Sequence, residues 1–154
     1  MIKGLYETHV YTTCLERSIT FYRDVLGLSL AHVEEARRIA FFWIGESTEY
    51  MLGIWENPKE EFAARHFAFR CDTEFVLHQS VRWLKERNLQ PYNFLKNGQE
   101  EPMVFAWMPA LAIYFKDPDD NVLEFISILD GAARPELGVI SWKKWEQLNK
   151  VGNK

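Results

Sequence analysis

Ala112-Ile-Tyr-Phe-Lys-Asp-Pro-Asp-Asp-Asn-Val-Leu-Glu-Phe-Ile-Ser127 reads as two strands joined by a tight turn. In Asp117-Pro118-Asp119-Asp120-Asn121, proline presets one backbone angle and Asp and Asn tolerate the others. Leu111 to Phe115 and Val122 to Leu129 are β-rich. Glu124 is out of place in the second run, because an unpaired carboxylate is costly to bury in an apolar strand. Either that face is wet or a positive group stands opposite.

Upstream, the same order of elements occurs twice. Gly4 to Thr12 alternates as a strand, with Glu7, His9 and Tyr11 on one face. Thr13-Cys-Leu-Glu16 has capping-box spacing, and Leu15, Ile19, Tyr22 and Leu26 form the apolar stripe of a helix that Gly27 stops. Strands follow at 28–33, 38–44 and 50–55. After a polar linker containing Pro58, the second copy begins with a strand from Arg65 to Arg70. A helix striped by Leu77, Val81 and Leu84 comes next and ends near Asn88. Strand material lies at 90–94, 103–107, 111–115 and 122–129. The fold class is therefore α+β. Two tandem βαβββ modules, about 4–57 and 64–129, form a domain over residues 1–130 with a curved mixed sheet around a cavity. Residues 131–154 are a separate tail with a short amphipathic helix from Ser141 to Lys150. Its Trp142, Trp145 and Leu148 are expected to dock on the chain's own domain first, and on a second subunit otherwise.

The length of 154 residues and a hydrophobic content of 47% suit one such domain with a sizeable core. A net charge of −4 without a basic stripe argues against a nucleic-acid partner. No run has the length of a signal-peptide core or a membrane span, and Cys14 and Cys71 read as free thiols of a reducing, cytoplasmic setting.

Two matches link the copies. His9 precedes Cys14 by five residues, as His66 precedes Cys71. Tyr50-Met-Leu-Gly-Ile-Trp55 matches Asn121-Val-Leu-Glu-Phe-Ile126, setting Gly53 against Glu124. Two imidazoles and one carboxylate, His9, His66 and Glu124, make a divalent-metal site with open positions for water or substrate. A metal there would account for Glu124. Tyr114, Glu7 and Tyr11 are candidate bases by strand parity. Tyr11, Arg70 and Trp55 are candidate substrate contacts. His32 and His78 fall outside the pattern.

The sequence resembles the vicinal oxygen chelate superfamily of glyoxalases, bleomycin-resistance proteins, extradiol dioxygenases and fosfomycin-resistance proteins. The resemblance rests on Thr8-His9-Val10, the run Leu15 to Leu28 with Phe21-Tyr-Arg-Asp-Val-Leu-Gly-Leu28, Arg65-His-Phe-Ala-Phe69, and Tyr114 to Phe125. It implies one divalent metal (Zn, Ni, Fe, Mn or Co) on His9, His66 and Glu124, and a small oxygenated substrate whose charge the metal stabilises. It also implies a homodimer. The expected activity is that of a glyoxalase-like lyase or isomerase, or a dioxygenase. The alternatives are a fosfomycin-type thiol transferase and a non-catalytic ligand-binding protein. Gly53 stands where glyoxalase I has its second glutamate, which points away from a four-ligand centre. Two histidines and one glutamate are the set of the fosfomycin-resistance transferases, and Tyr114 matches a tyrosine of their pocket. Tyr11 replaces their Thr or Cys, and Asp120 the usual turn glycine.

Overall fold

The computed structural model describes residues 1–151, with side chains as far as Asn149. Both βαβββ repeats are present. The first comprises β1 (Glu7–Thr12), α1 (Leu15–Thr20), β2 (Ser29–Glu34), β3 (Ile39–Ile44) and β4 (Tyr50–Glu56). A π-helical turn, Phe21–Val25, extends α1, and its stripe buries Leu15 and Tyr22. The second comprises β5 (His66–Arg70), α2 (Ser80–Glu86, preceded by a π-helical turn at Phe75–Gln79), β6 (Met103–Phe105), β7 (Ala110–Lys116) and β8 (Val122–Ile128). Each repeat builds its own mixed sheet, in the orders β1-β4-β3-β2 and β5-β8-β7-β6, the second extended beyond β6 by β9 (Val139–Ser141).

The chain divides into two compact units. The first is Met1–Arg65 with the turn Asp117–Asn121; the second is His66–Lys116 with the chain from Val122 onward. Within the first unit, Val10, Phe42, Leu52 and Ile54 are buried; within the second, Val76, Leu84, Leu111, Ile113, Phe115 and Leu123 are. None of the helices described is long and apolar enough to cross a membrane.

Several local readings are corrected. The Thr13–Glu16 capping box does not form. The N-cap residue is Cys14, without a side-chain cap, and the Leu15 N–H donates to Glu56 Oε2 at 2.6 Å. A carboxylate from β4, itself gripped by Arg38 at 2.9 and 3.0 Å, takes over the capping role. The segment 90–94 is not a strand: only Tyr92 bridges to Tyr114. Val139–Ser141 adds an unforeseen strand, β9, to the edge of β6. The tail helix, α3 (Trp142–Val151), follows it, and Trp145 is 3% exposed within the second unit. Residues 152–154 of the expected tail lie outside the described residues.

The Asp-Pro-Asp-Asp-Asn turn does more than reverse the chain. Asp119 accepts hydrogen bonds from Thr12 Oγ1 (2.6 Å), Thr13 N (3.0 Å) and Thr13 Oγ1 (2.7 Å), and pairs with Arg17 (2.7 Å). Asp117 accepts from Tyr22 Oη at 2.7 Å. Asp120 takes the left-handed conformation, φ 68°, that a glycine would adopt more readily.

Register separates the two sequence matches between the repeats. In the first sheet His9 lies opposite Gly53 and Glu7 opposite Met51. In the second, His66 lies opposite Val122, and Ala68 opposite Glu124. Aligning Gly53 with Glu124 therefore sets His9 against Ala68 and Glu7 against His66. The His–Cys spacing match runs two residues out of step with the sheets, which keeps every face but moves the histidine along it.

Candidate functional site

β5 alternates strictly: Phe67 and Phe69 are half-buried, while His66, Ala68 and Arg70 are exposed. The polar face of this edge strand adjoins β8, where Glu124 is 4% exposed. His66 Nε2 lies 3.1 Å from Glu124 Oε2, and Tyr114, directly opposite Glu124 on β7, hydrogen-bonds the same carboxylate. Among the described residues, Glu124 Oε1 is buried without a hydrogen-bond partner.

The tautomer of His66 follows from its other nitrogen. Nδ1 is 3.0 Å from the Val122 carbonyl, which can only accept, so Nδ1 carries the proton. In the neutral ring Nε2 then presents its lone pair to a carboxylate oxygen. Two electron-rich atoms at that distance require a positive charge between them, from a second proton or a cation. With the orphaned Oε1, one imidazole nitrogen and one carboxylate meet here that could supply two ligands to a divalent metal.

Burial raises the Glu124 carboxyl above its ordinary range, against the pull of Tyr114 and His66. Burial, and then the adjacent Glu124, push the Tyr114 phenol up as well, so it stays protonated at neutral pH. Beside this pair is a cavity of about 520 Å³ lined by His66, Tyr92, Phe94, Lys96, Tyr114 and Val122. The sequence reading missed Tyr92, Phe94 and Lys96, which lie in segments assigned to a short strand and a polar loop. The available signal was the pair of aromatics two residues apart just before a lysine.

His9 belongs to the first unit. Trp55 Nε1–H donates to His9 Nδ1, and His9 Nε2 donates to Glu7 Oε1 at 2.5 Å. Glu7, His9 and Trp55 line a second cavity, of about 480 Å³, with His32, Arg37 and Phe41. Of the remaining candidates, Tyr11 stacks on Phe62 with ring centres 5.5 Å apart, and Arg70 is exposed at the end of β5. Among the described residues, no three His, Cys, Asp or Glu side chains form a group that could hold a metal.

Gly53 has a local reason to be glycine. A Cβ there would sit 2.6 Å from His9 Nδ1 and 2.7 Å from Cε1, so the imidazole occupies the space of the absent side chain. Gly53→Ala is expected to displace His9, cost about 1–3 kcal/mol and break the bond from Trp55. The Trp55 indole N–H resonance reports this directly: it should move by far more than any other tryptophan indole signal.

Residues 5–125 match the family model described as Glyoxalase/Bleomycin resistance protein/Dioxygenase superfamily. The chain belongs to this superfamily. Its vicinal oxygen chelate fold is also that of similar solved structures. An integron cassette protein, HFX_CASS4, from the mobile metagenome of the Halifax Harbour Sewage Outfall shares 29% identity at a TM-score of 0.69, with 82% of this chain and 100% of that one covered. The genomically encoded fosfomycin resistance protein FosX of Listeria monocytogenes superposes at 0.63 with 20% identity, over 84% and 96% of the two chains, which speaks to the fold alone. In sequence, the chain is 30% identical over 134 residues to the metallothiol transferase FosB of Staphylococcus haemolyticus, covering 80% of this chain and 83% of that protein. Within the superfamily, the chain is thus similar to a metal-dependent enzyme over most of its length.

Proposed function

We propose that the protein is a metal-dependent transferase that adds a thiol to a small oxyanion-bearing molecule, with His66 and Glu124 as two arms of the metal centre. His9 is proposed as the third arm, on the sequence expectation alone. The observation that carries this reading is the orphaned, buried Glu124 carboxylate facing the lone pair of His66 at 3.1 Å. The likeness to a metallothiol transferase supports the reaction class. A bound divalent metal would supply Lewis-acid stabilisation of the oxygen that gains charge.

The chain's own groups fit the remaining roles. Lys96 places a cation on a cavity wall otherwise rich in aromatics, which suits an anionic substrate with a small apolar body. In thiol addition to an epoxide, the thiol gives its proton to solvent and attacks as thiolate; the sulfur–carbon bond forms as the carbon–oxygen bond breaks, the freed oxygen takes up a proton, and the donor is reprotonated from solvent. Tyr114, kept protonated by its buried surroundings, is the proton donor at that oxygen. Arg70, Tyr11 and Trp55 are proposed as secondary contacts to substrate, and a homodimer as the assembly.

The test is turnover with Mn²⁺, Co²⁺, Ni²⁺ or Zn²⁺ present, using fosfomycin with cysteine or glutathione, the hemithioacetal of methylglyoxal, and catechol. Metal-dependent formation of the thiol adduct, lost in Glu124→Gln, is the expected result. Turnover of the hemithioacetal or catechol without any adduct would overturn the transferase reading in favour of a lyase or dioxygenase. Tight ligand binding without chemistry would favour a sequestering protein.

A further inference from the structure

The tail of the second unit walls a cavity of about 370 Å³ that takes no part in the chemistry at Glu124. Its volume is that of a small-ligand pocket. Apart from Thr73, the described residues that line it lie beyond residue 125, where the match to the superfamily ends. The cavity is therefore a feature of this chain's own tail.

Local structure explains how it forms. β9 pairs antiparallel with β6, placing Ser141 opposite Met103, and α3 starts at the next residue, Trp142. Trp142 and Trp145 are three residues apart and share one face of the helix. Trp145 is the anchor of that face, 3% exposed, whereas Trp142 is only half-buried. The facing wall is Ile128 and Leu129, where the chain leaves β8. Gly131, at φ 121°, closes one end. A Cβ there would lie 3.1 Å from Trp145 Cζ2 and 3.1 Å from Asn149 Oδ1, so glycine lets the connection pass tightly against the helix. Docking of the helix for stability alone would cover the apolar side chains beneath it. Ile128 lines the cavity and yet remains 56% exposed, beside an indole that is itself incompletely covered.

The polar groups around this apolar wall are of one kind. Asp130 and Glu146 bring two carboxylates, and no Lys, Arg or His is among the described residues of the lining. Asn149 donates from Nδ2 to the Trp145 carbonyl at 3.0 Å, and its Oδ1 is an acceptor. Thr73 is already tied to Ser127, Oγ1 to Oγ at 2.5 Å. An anion would meet like charge here, and a neutral apolar ligand would desolvate the carboxylates without compensating them. A cation satisfies both parts of the lining, because indole faces attract positive charge and carboxylates neutralise it.

We infer that this cavity is a binding site for a small organic cation, an ammonium group on a compact apolar body. Trp142 and Trp145 are its aromatic walls, and Asp130 and Glu146 its countercharges. The site is independent of the metal centre and stands or falls without it.

The test titrates the full-length protein with choline, and in parallel with the neutral alcohol in which a tert-butyl group replaces the trimethylammonium. The readout is the set of tryptophan indole N–H resonances. Choline is expected to shift the Trp142 and Trp145 signals saturably and to leave Trp43 and Trp55 of the first unit in place. The neutral isostere should bind at least about 10-fold more weakly. Asp130→Asn combined with Glu146→Gln should weaken choline binding about 5-fold and leave the isostere unaffected. Trp142→Leu keeps an apolar wall but removes the ring, and should weaken choline at least about 5-fold. Circular dichroism checks that the variants fold, and the comparison of the two ligands on wild type needs no variant. Equal affinity for choline and its isostere would overturn the cation assignment. The absence of a saturable choline shift at Trp142 and Trp145, or a shift confined to Trp43 and Trp55, would overturn the site.

Discussion

Glu124→Gln is expected to lower divalent-metal affinity at least about 100-fold, or about 2.8 kcal/mol, while making the metal-free protein more stable. Both effects have one cause. The carboxylate is buried on an apolar strand with Oε1 unpartnered and Oε2 against an imidazole lone pair. Without a cation, that arrangement costs the folded state a desolvated charge. Replacing the carboxylate by its neutral isostere removes the charge at nearly constant volume, and a gain of about 1–2 kcal/mol is expected, raising Tm by about 2–6 °C. The pH dependence follows in sign. Burial raises the folded-state pKa of Glu124 above its ordinary value of 4.5. Its contribution to stability is therefore most favourable below that ordinary value and is lost as pH rises through the folded pKa. The advantage of the Gln variant should appear across the same rise and vanish in acid. Thermal unfolding of both metal-free proteins from pH 4 to pH 8 checks it. Equal stability throughout would mean that the carboxylate carries no such burden.

Asp119→Asn is expected to have the opposite sign and a larger effect on folding. Asp119 is 3% exposed. Its carboxylate gathers the Thr12 hydroxyl, the Thr13 hydroxyl and amide, and the Arg17 guanidinium at the start of α1. Burial pushes its pKa upward, but the hydrogen bonds from Thr12, Thr13 and Arg17 prevail and hold it at about 2, below the ordinary 3.8. At 1.36 kcal/mol for each unit, that depression is worth about 2 kcal/mol. A depressed pKa contributes stability that is complete above the ordinary value and is lost as pH falls through about 2. The variant also loses charge-assisted bonds, so a total cost of about 2–4 kcal/mol and a fall in Tm of about 5–12 °C at pH 7 are expected. Below pH 2 the two proteins should converge. Urea unfolding at pH 7 and acid titration by circular dichroism measure both. A cost below about 0.5 kcal/mol at pH 7 would show that the turn is not the anchor its hydrogen bonds suggest.

The repeat was legible because its signals are periodic. Alternation in Arg65 to Arg70, the stripe ending at Gly27 and the Asp-Pro turn each fix a local structure from neighbouring residues alone. Glu124 was legible as an anomaly, since a carboxylate flanked by Leu123 and Phe125 contradicts the strand around it. What escaped depends on partners distant in sequence. Glu56 caps α1 from 41 residues away, and Asp119 binds Thr12 from 107 away, so no local spacing announces either. The capping box at Thr13 lost to these stronger acceptors. Lys96, Tyr92 and Phe94 share a cavity wall through an irregular connection without a period.

The position of His9 shows a subtler limit. Strand alternation assigns a face but not a place along it: it put Glu7, His9 and Tyr11 on one face, and only pairing with β4 gave the register. The Gly53 opposite His9 shows that its ring also serves as packing.

A metal centre anchored by His66 and Glu124 would show in the metal content of the untagged protein. Elemental analysis of wild type and His66→Ala after purification without chelators is expected to find about one divalent metal per wild-type chain and less than about one tenth in the variant. Sub-stoichiometric metal in the wild type, or an equal content in His66→Ala, would contradict it.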